Sequence, residues 1–258
     1  MRRDGTQTSR LSLKRGVLRG AAHVGVLMAL EEAGIPIDCV AGVSAGSIVG
    51  SLYCAGITTD QMLARSHELG WRKLASVVWP REGFVSFAKL GRWLIDIIGD
   101  RSFSDLMRPF AVVVTDVATG VPVLWREGKV ARAVHASCAV PGFIVPVRVQ
   151  GRVYGDGGVS CNLPAFAARV LGADYVIGVD LMQPQIRQRG GPFRYGFAAL
   201  ETLVERSGGG PEAVDCLIAP PLAGMSYLRV SQFDDLVARG RHAAEAQLDR
   251  IRAALAAG

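Results

Sequence analysis

A serine set between two glycines is the most chemically suggestive feature of this chain. The run Cys39-Val40-Ala41-Gly42-Val43-Ser44-Ala45-Gly46-Ser47-Ile48-Val49-Gly50 passes from a short apolar strand pattern, through G-x-S-x-G, into a small-residue helical pattern. This is the pattern of a nucleophile elbow. A serine at a sharp strand-to-helix turn is thrust clear of the sheet, and small residues at Gly42 and Gly46 let neighbouring backbones pass closely. The helix that follows points its free N–H groups at the serine, favouring the anionic oxygen that develops during acyl transfer. The competing reading is a Gly-rich turn that binds phosphate or only turns. A nucleotide site would need G-x-G-x-x-G spacing or a P-loop lysine, and neither is present.

A serine hydroxyl needs a base. Of the histidines, His67, His135 and His242 follow Ser44, and each falls in a segment that reads as helix rather than as an exposed loop. Position 44 is also early for the elbow of a Ser-acid-His fold. The remaining candidate is Asp156, in Val153-Tyr154-Gly155-Asp156-Gly157-Gly158-Val159, at the end of a strand pattern. Glycines on both sides would let another backbone come close to the carboxylate. The plain alternative is an Asp-Gly hairpin turn.

These residues need a scaffold, and the chain supplies short β-rich runs alternating with helical stretches, the signature of an α/β fold with a mostly parallel sheet. The strand candidates are 11–17, 39–43, 110–116, 121–125, 145–154 with a turn at Gly151, 175–180 and 214–219. Continuous apolar runs such as Ala111 to Val114 read as central strands covered on both faces. Thr58 with Gln61 makes a capping box for a helix starting near Thr59, and Ser231 with Asp234 a weaker one for the last helix. That helix, about 232–256, carries Phe233, Val237, Gly240, Ala244, Leu248, Ile251 and Leu255 three or four apart and should close the domain. Arg187 to Pro192 and Gly208 to Gly210 read as loops.

With 258 residues, 50% of them hydrophobic and 20% charged, the chain can bury a sizeable core as one domain over 1–258. Its net charge of +6 is spread along the sequence without a basic block, so no nucleic-acid partner is expected. No apolar run approaches the roughly 18 residues of a membrane-spanning helix. The first residues lack the apolar stretch of a secretion signal, so a cytoplasmic location is expected. Five scattered cysteines and four separated histidines form no metal-ligand pattern, so no metal or cofactor is expected and the thiols read as reduced and structural.

Taken together, Gly42-Val43-Ser44-Ala45-Gly46, Asp156-Gly157-Gly158 and the preceding Arg19-Gly20-Ala21-Ala22-His23-Val24-Gly25-Val26-Leu27 resemble the bacterial patatin-like phospholipases. Thr115-Asp116, Thr119-Gly120, the run Ala136 to Gly142 and Asn162-Leu163-Pro164 extend the resemblance over roughly 11–180. It implies a three-layer α/β/α fold and a Ser–Asp dyad, without histidine, that hydrolyses lipid acyl esters. By position Ser44 matches the family nucleophile and Asp156 its general base, and the oxyanion would be met by backbone N–H groups at Gly16, Val17 and Ala45. The chain departs from the family just before Arg19-Gly20, where Lys14-Arg15-Gly16-Val17-Leu18 replaces a glycine-rich stretch and leaves room for Arg15 to hold an anion. A weak or inactive lipid- or anion-binding relative is therefore the rival to an active hydrolase.

Residues 71–98 hold three of the four tryptophans beside Arg72, Lys73, Arg81, Lys89 and Arg92. From Phe87 the spacing Phe87, Leu90, Leu94 and Ile97 or Ile98 makes one helical face. The bland reading is a helical cover over the sheet; the functional one is a lid or a peripheral membrane-surface contact, since tryptophan and cations together suit a headgroup layer.

Overall fold

The computed structural model describes residues 9–66, 70–181, 192–208, 213–226 and 229–257. The chain runs through β1 (Ser9–Leu13), α1 (Ala21–Glu32), β2 (Cys39–Gly42), α2 (Ala45–Cys54), α3 (Thr59–Ser66) and the single-turn α4 (Trp71–Leu74). A small hairpin, β3 (Ser76–Val77) and β4 (Val85–Ser86), leads into α5 (Ala88–Ile98), β5 (Phe110–Asp116), β6 (Pro122–Trp125) and α6 (Val130–Ser137). Then follow β7 (Val147–Val149), β8 (Arg152–Asp156), α7 (Ala165–Val170), β9 (Tyr175–Val179), α8 (Pro192–Glu205), β10 (Cys216–Ile218), α9 (Phe233–Glu245) and α10 (Leu248–Ala256).

Eight strands form the main sheet in the order β10-β9-β1-β2-β5-β8-β7, with β6 also paired to β5. The five strands from β10 to β5 are parallel, and β6, β8 and β7 join antiparallel. Alternation along the central strands feeds two cores. Val40, Val112, Val114 and Ile177 face the layer that contains α1, α2 and α6, whereas Ala41, Val43, Val113 and Val176 face Ala165, Ala167 and Ala168 of α7. Successive side chains point to opposite faces, so a strand buried on both sides must be apolar throughout. This is the mostly parallel, three-layer α/β/α fold.

Several elements differ in extent from the sequence reading. β1 ends at Leu13, four residues short of Val17, because the chain leaves the sheet and closes a 3-10 turn over Val17–Gly20, with Arg19 N–H bonded to Gly16 O at 2.9 Å. The hairpin expected at Gly151 is present, with positive φ at both Gln150 (49°) and Gly151 (77°), as a tight two-residue turn requires. The Thr58–Gln61 capping box closes in both directions, at 3.1 and 3.2 Å. At α9 the N-cap is Gln232, not Ser231, and no side chain caps it. The closing helix is also two helices. Gln247 N–H bonds to Ala244 O at 2.9 Å, an i to i−3 bond that tightens the backbone and ends α9. The stretches 187–191 and 209–210 of the expected loops lie outside the described residues.

α9 lies against α1 with no side chain between them at two points. A Cβ on Gly25 would stand 1.9 Å from Val237 O, and one on Gly240 would stand 2.0 Å from Ala22 O. Each helix thus uses a glycine where the other's backbone passes, which holds α1 firmly behind the sheet.

Candidate active site

Two strands divide one edge of β5. Val112 pairs with Gly42 of β2 on one side and Trp125 of β6 on the other, while Val114 pairs with Val123 of β6 and Asp156 of β8. Since β6 keeps a single edge of β5, β2 and β8 share the opposite edge and meet end to end. The chain must therefore turn out of the sheet after Gly42, and again after Asp156. A Cβ on Gly157 would stand 2.6 Å from Val43 Cγ2 and 2.1 Å from Val113 O, so only glycine fits where the two strand ends converge.

Ser44 occupies the first of these turns with φ 52° and ψ −124°, one of two described non-glycine residues at positive φ. Such a conformation costs on the order of 1–3 kcal/mol and persists only when the surroundings over-determine it. The surroundings are visible. Ser44 N–H donates to Ser137 Oγ at 2.8 Å, and Ser137 Oγ donates onward to Val113 O at 2.7 Å. Ser44 O accepts from Ser47 N at 2.8 Å and from Ser47 Oγ at 2.6 Å. A Cβ on Gly42 would stand 2.6 Å from Gly46 O, and one on Gly46 would stand 2.3 Å from Leu13 O. Both glycines of G-x-S-x-G are needed for backbone passage.

Asp156 occupies the second turn and is fully buried. Its Oδ1 accepts from Gly158 N at 2.8 Å, its N–H donates to Ala139 O at 2.7 Å, and its carbonyl accepts from Thr115 Oγ1 at 2.8 Å. Oδ2 is buried with no hydrogen-bond partner. A buried carboxylate oxygen left open is costly in a merely structural residue and is what a proton acceptor awaiting its donor looks like.

The Val17–Gly20 turn packs on the first turn of α2, where a Cβ on Gly20 would stand 2.8 Å from Ala45 Cβ. Val17 and Ala45 each begin a helical segment, so their N–H groups have no acceptor within it. The departures at Lys14 and Arg15 are accommodated by burial. Lys14 Nζ pairs with Asp180 Oδ1 at 2.8 Å. Arg15 is only 5% exposed, with its stem against Gly158, where a Cβ would stand 2.4 Å from Arg15 Cδ and 2.9 Å from Asp156 Oδ1. Its Nη1 is buried without a partner.

Ser137 and Cys138 did not stand out in the sequence as site residues, because nothing local to Ala136-Ser137-Cys138 reveals that the end of α6 lies against both turns. Burial pushes the Cys138 thiol well up, the Asp156 carboxylate adds to this, and the hydroxyls of Ser47 and Ser44 and the Arg15 guanidinium oppose it. That one thiol thus feels both turns and Arg15. All five cysteines are free and buried. Among the described residues no histidine bonds to Ser44 or Asp156: His23 is bonded to Lys14 O, His135 lies in α6 and His242 is exposed on α9. His67 lies outside the described residues.

A narrow apolar cavity of about 90 Å³ begins where the Val17–Gly20 turn meets α2, at Leu18, Gly20 and Ala45, and runs past Ile48 toward Leu90 and Trp93. The α5 face read from the sequence is therefore real, with Leu90, Leu94 and Ile98 buried, and the half-buried Trp93 lines the cavity. A larger open cleft of about 420 Å³ lies around Phe103, Pro109 and Phe110, at the N-terminal end of β5. The described strand-end turns are at the carboxyl end, where open α/β sheets hold their ligands.

A three-layer α/β/α sheet with a strained serine turn and an Asp-Gly-Gly turn meeting on one strand edge defines the class. This chain belongs to the patatin-like phospholipase family, which matches residues 11–169. Neuropathy target esterase sws of Drosophila melanogaster is 35% identical over 179 residues, covering 66% of this chain and 13% of that protein. An uncharacterized NTE family protein of Mycobacterium bovis is 34% identical over 174 residues, 66% of this chain and 48% of its own length. The chain thus spans less than half of either relative. VipD from Legionella pneumophila has the same fold, with a TM-score of 0.54 at 14% identity over 97% of this chain and 67% of VipD.

Proposed function

We propose that this chain is a serine lipid acyl hydrolase of the phospholipase or lysophospholipase type, working through a Ser44–Asp156 dyad and an acyl-enzyme. The observation that carries the reading is the open, buried Oδ2 of Asp156 beside the strained Ser44 turn. Asp156 takes the hydroxyl proton as Ser44 Oγ bonds to the ester carbonyl carbon. The proton then passes to the departing alcohol as the ester C–O bond breaks. Water attacks the acyl-serine, Asp156 takes its proton, and the fatty acid leaves as Ser44 is reprotonated. Backbone N–H groups at Gly16, Val17 and Ala45 meet the transient oxyanion, and the apolar cavity beside Ala45 receives the acyl chain. Substrate is a phospholipid or lysophospholipid, as the name lysophospholipase nte1 given to a 33% identical relative from Aspergillus fumigatus suggests. The fold works as one unit over 1–258, in the cytoplasm, with peripheral contact to membranes and no cofactor.

Labelling by a fluorophosphonate ester, followed by hydrolysis of a lipid panel, tests the proposal. Covalent labelling at Ser44 and release of fatty acid support it. An unlabelled Ser44 in folded protein overturns it in favour of a second reading, a binding protein, which the buried and unpartnered Arg15 Nη1 favours as a holder of anions.

A further inference from the structure

Several strongly exposed apolar side chains sit together on and beside the β3–β4 hairpin. Val77 is 88% exposed, Trp79 82% and Phe84 57%, and Phe143, on the adjoining turn, is 42% exposed. The hairpin is held rather than dangling. Val78 N bonds to Phe84 O at 3.1 Å, Phe84 N to Phe143 O at 2.8 Å and Val145 N to Val85 O at 2.9 Å, and Glu82 pairs with Arg148. Val77 stands opposite Val85 in the ribbon, and Phe84 precedes Val85 in the bend that leads into β4. Trp79 lies between them at the turn.

Three large apolar side chains left this exposed along one short ribbon and its tip are poorly suited to water. They suit an apolar medium. Over 71–92 the charged residues are Arg72, Lys73, Arg81, Lys89 and Arg92 against the single acid Glu82, which is already paired. Exposed tryptophan among cations matches the boundary between acyl chains and anionic headgroups. The hairpin is also continuous with the site. On one side it follows α4, whose Leu74 lines the apolar cavity, and on the other it is tied to the segment that follows Cys138 and Ala139, the latter bonded to Asp156 N.

We infer that the β3–β4 hairpin is a membrane-docking wedge that inserts Val77, Trp79 and Phe84 into a bilayer carrying anionic lipid. Within the tryptophan- and cation-rich segment 71–98, Trp79 rather than Trp93 carries this surface, because the half-buried Trp93 lines the apolar cavity. The inference concerns binding, and is read without turnover, so it stands or falls apart from the hydrolase proposal.

The test is co-sedimentation of the full chain with phosphatidylcholine vesicles and with vesicles of phosphatidylcholine and phosphatidylglycerol at about 3:1. Wild type should bind the anionic vesicles more tightly, and the triple variant Val77→Ser, Trp79→Ser, Phe84→Ser should lose at least about tenfold in affinity for both. Arg72→Glu with Arg81→Glu should abolish the preference for anionic lipid and its salt dependence. Unchanged thermal unfolding verifies that both variants remain folded. Wild-type levels of vesicle binding by the serine variant overturn the inference. So does a wild type that ignores both vesicles, or one whose patch instead drives a concentration-dependent dimer that the serine variant abolishes.

Discussion

The imidazole of His23, fully buried on α1, is bonded through Nε2 to the backbone carbonyl of Lys14 at 2.7 Å. The acceptor is a carbonyl, so Nε2 carries a proton. Through this bond α1 holds the loop that leads from β1 into the Val17–Gly20 turn. Burial pushes the His23 pKa down to about 4, although the Lys14 carbonyl and the Asp180 carboxylate pull it the other way. The unfolded chain, with an ordinary histidine, binds a proton more readily than the folded one between these values. This contribution is complete above the unfolded pKa of about 6.5 and is lost as pH falls through the window toward 4, amounting to about 3 kcal/mol. Thermal unfolding followed from pH 7 to 4 should show the loss. His23→Gln, which can still donate to Lys14 O, should flatten the profile; an equally steep profile in the variant would assign the dependence elsewhere.

Ser44→Ala and Asp156→Asn should each lower kcat on a soluble ester by at least about a thousandfold, and the double variant should be no worse than the poorer single one. Nucleophile and base act as one unit, so removing either removes the step. Losses that multiply, or an Asp156→Asn protein near wild-type activity, would break the dyad. His135→Gln and His242→Gln should change kcat little.

The elbow and the Asp-Gly-Gly turn were legible because both rely on glycines whose spacing is local: Gly42 and Gly46 admit Gly46 O and Leu13 O, and Gly157 admits Val113 O. Most strand positions were legible for a similar reason, since a strand covered on both faces is apolar throughout. What local pattern does not encode is register. Nothing near Gly42 or Asp156 states that both lie on one edge of β5, and nothing near Ser137 states that its hydroxyl will receive Ser44 N–H. Trp79 and Trp93 likewise read alike as letters, and only the fold turns one outward and the other into a cavity.

Gly240→Ala should destabilise the protein. In an isolated helix the exchange would gain about 1 kcal/mol. Here the new methyl would stand 2.0 Å from Ala22 O, a backbone atom that moves only if α1 and α9 separate. Overpacking of this kind costs about 1–3 kcal/mol and should prevail. A rise in melting temperature would mean that the helices have slack.

Ile48→Trp should shift acyl preference. Ile48 lines the narrow cavity next to Ala45, and a larger ring there would shorten the space an acyl chain can enter. The ratio of kcat/KM for a long-chain ester to that for a butyrate ester should fall about tenfold, with the butyrate value nearly unchanged. A uniform loss on both esters would place the acyl chain elsewhere.

The departure at Lys14 to Leu18 supplies the last test. Family members have a glycine-rich stretch here, whereas this chain places Arg15 beside Asp156, with its stem across Gly158 and Nη1 unpartnered. Two effects oppose each other in Arg15→Gly with Val17→Gly. Glycine widens the dihedral range that aims N–H groups at an oxyanion, worth on the order of a hundredfold in rate where a donor is misdirected. Removing Arg15 also takes a cation from beside the carboxylate proposed to accept the serine proton. If misdirected donors limit the proposed reaction, kcat on a soluble ester rises with KM nearly constant, because the added stabilisation exists only in the transition state. If the native turn is already well aimed, kcat falls. The buried, tightly packed setting of Arg15 favours the second outcome: kcat falls about tenfold in the double glycine variant, and an equal fall in Arg15→Gln with Val17 intact, which removes the charge but adds no glycine, identifies the cation rather than the backbone as the cause.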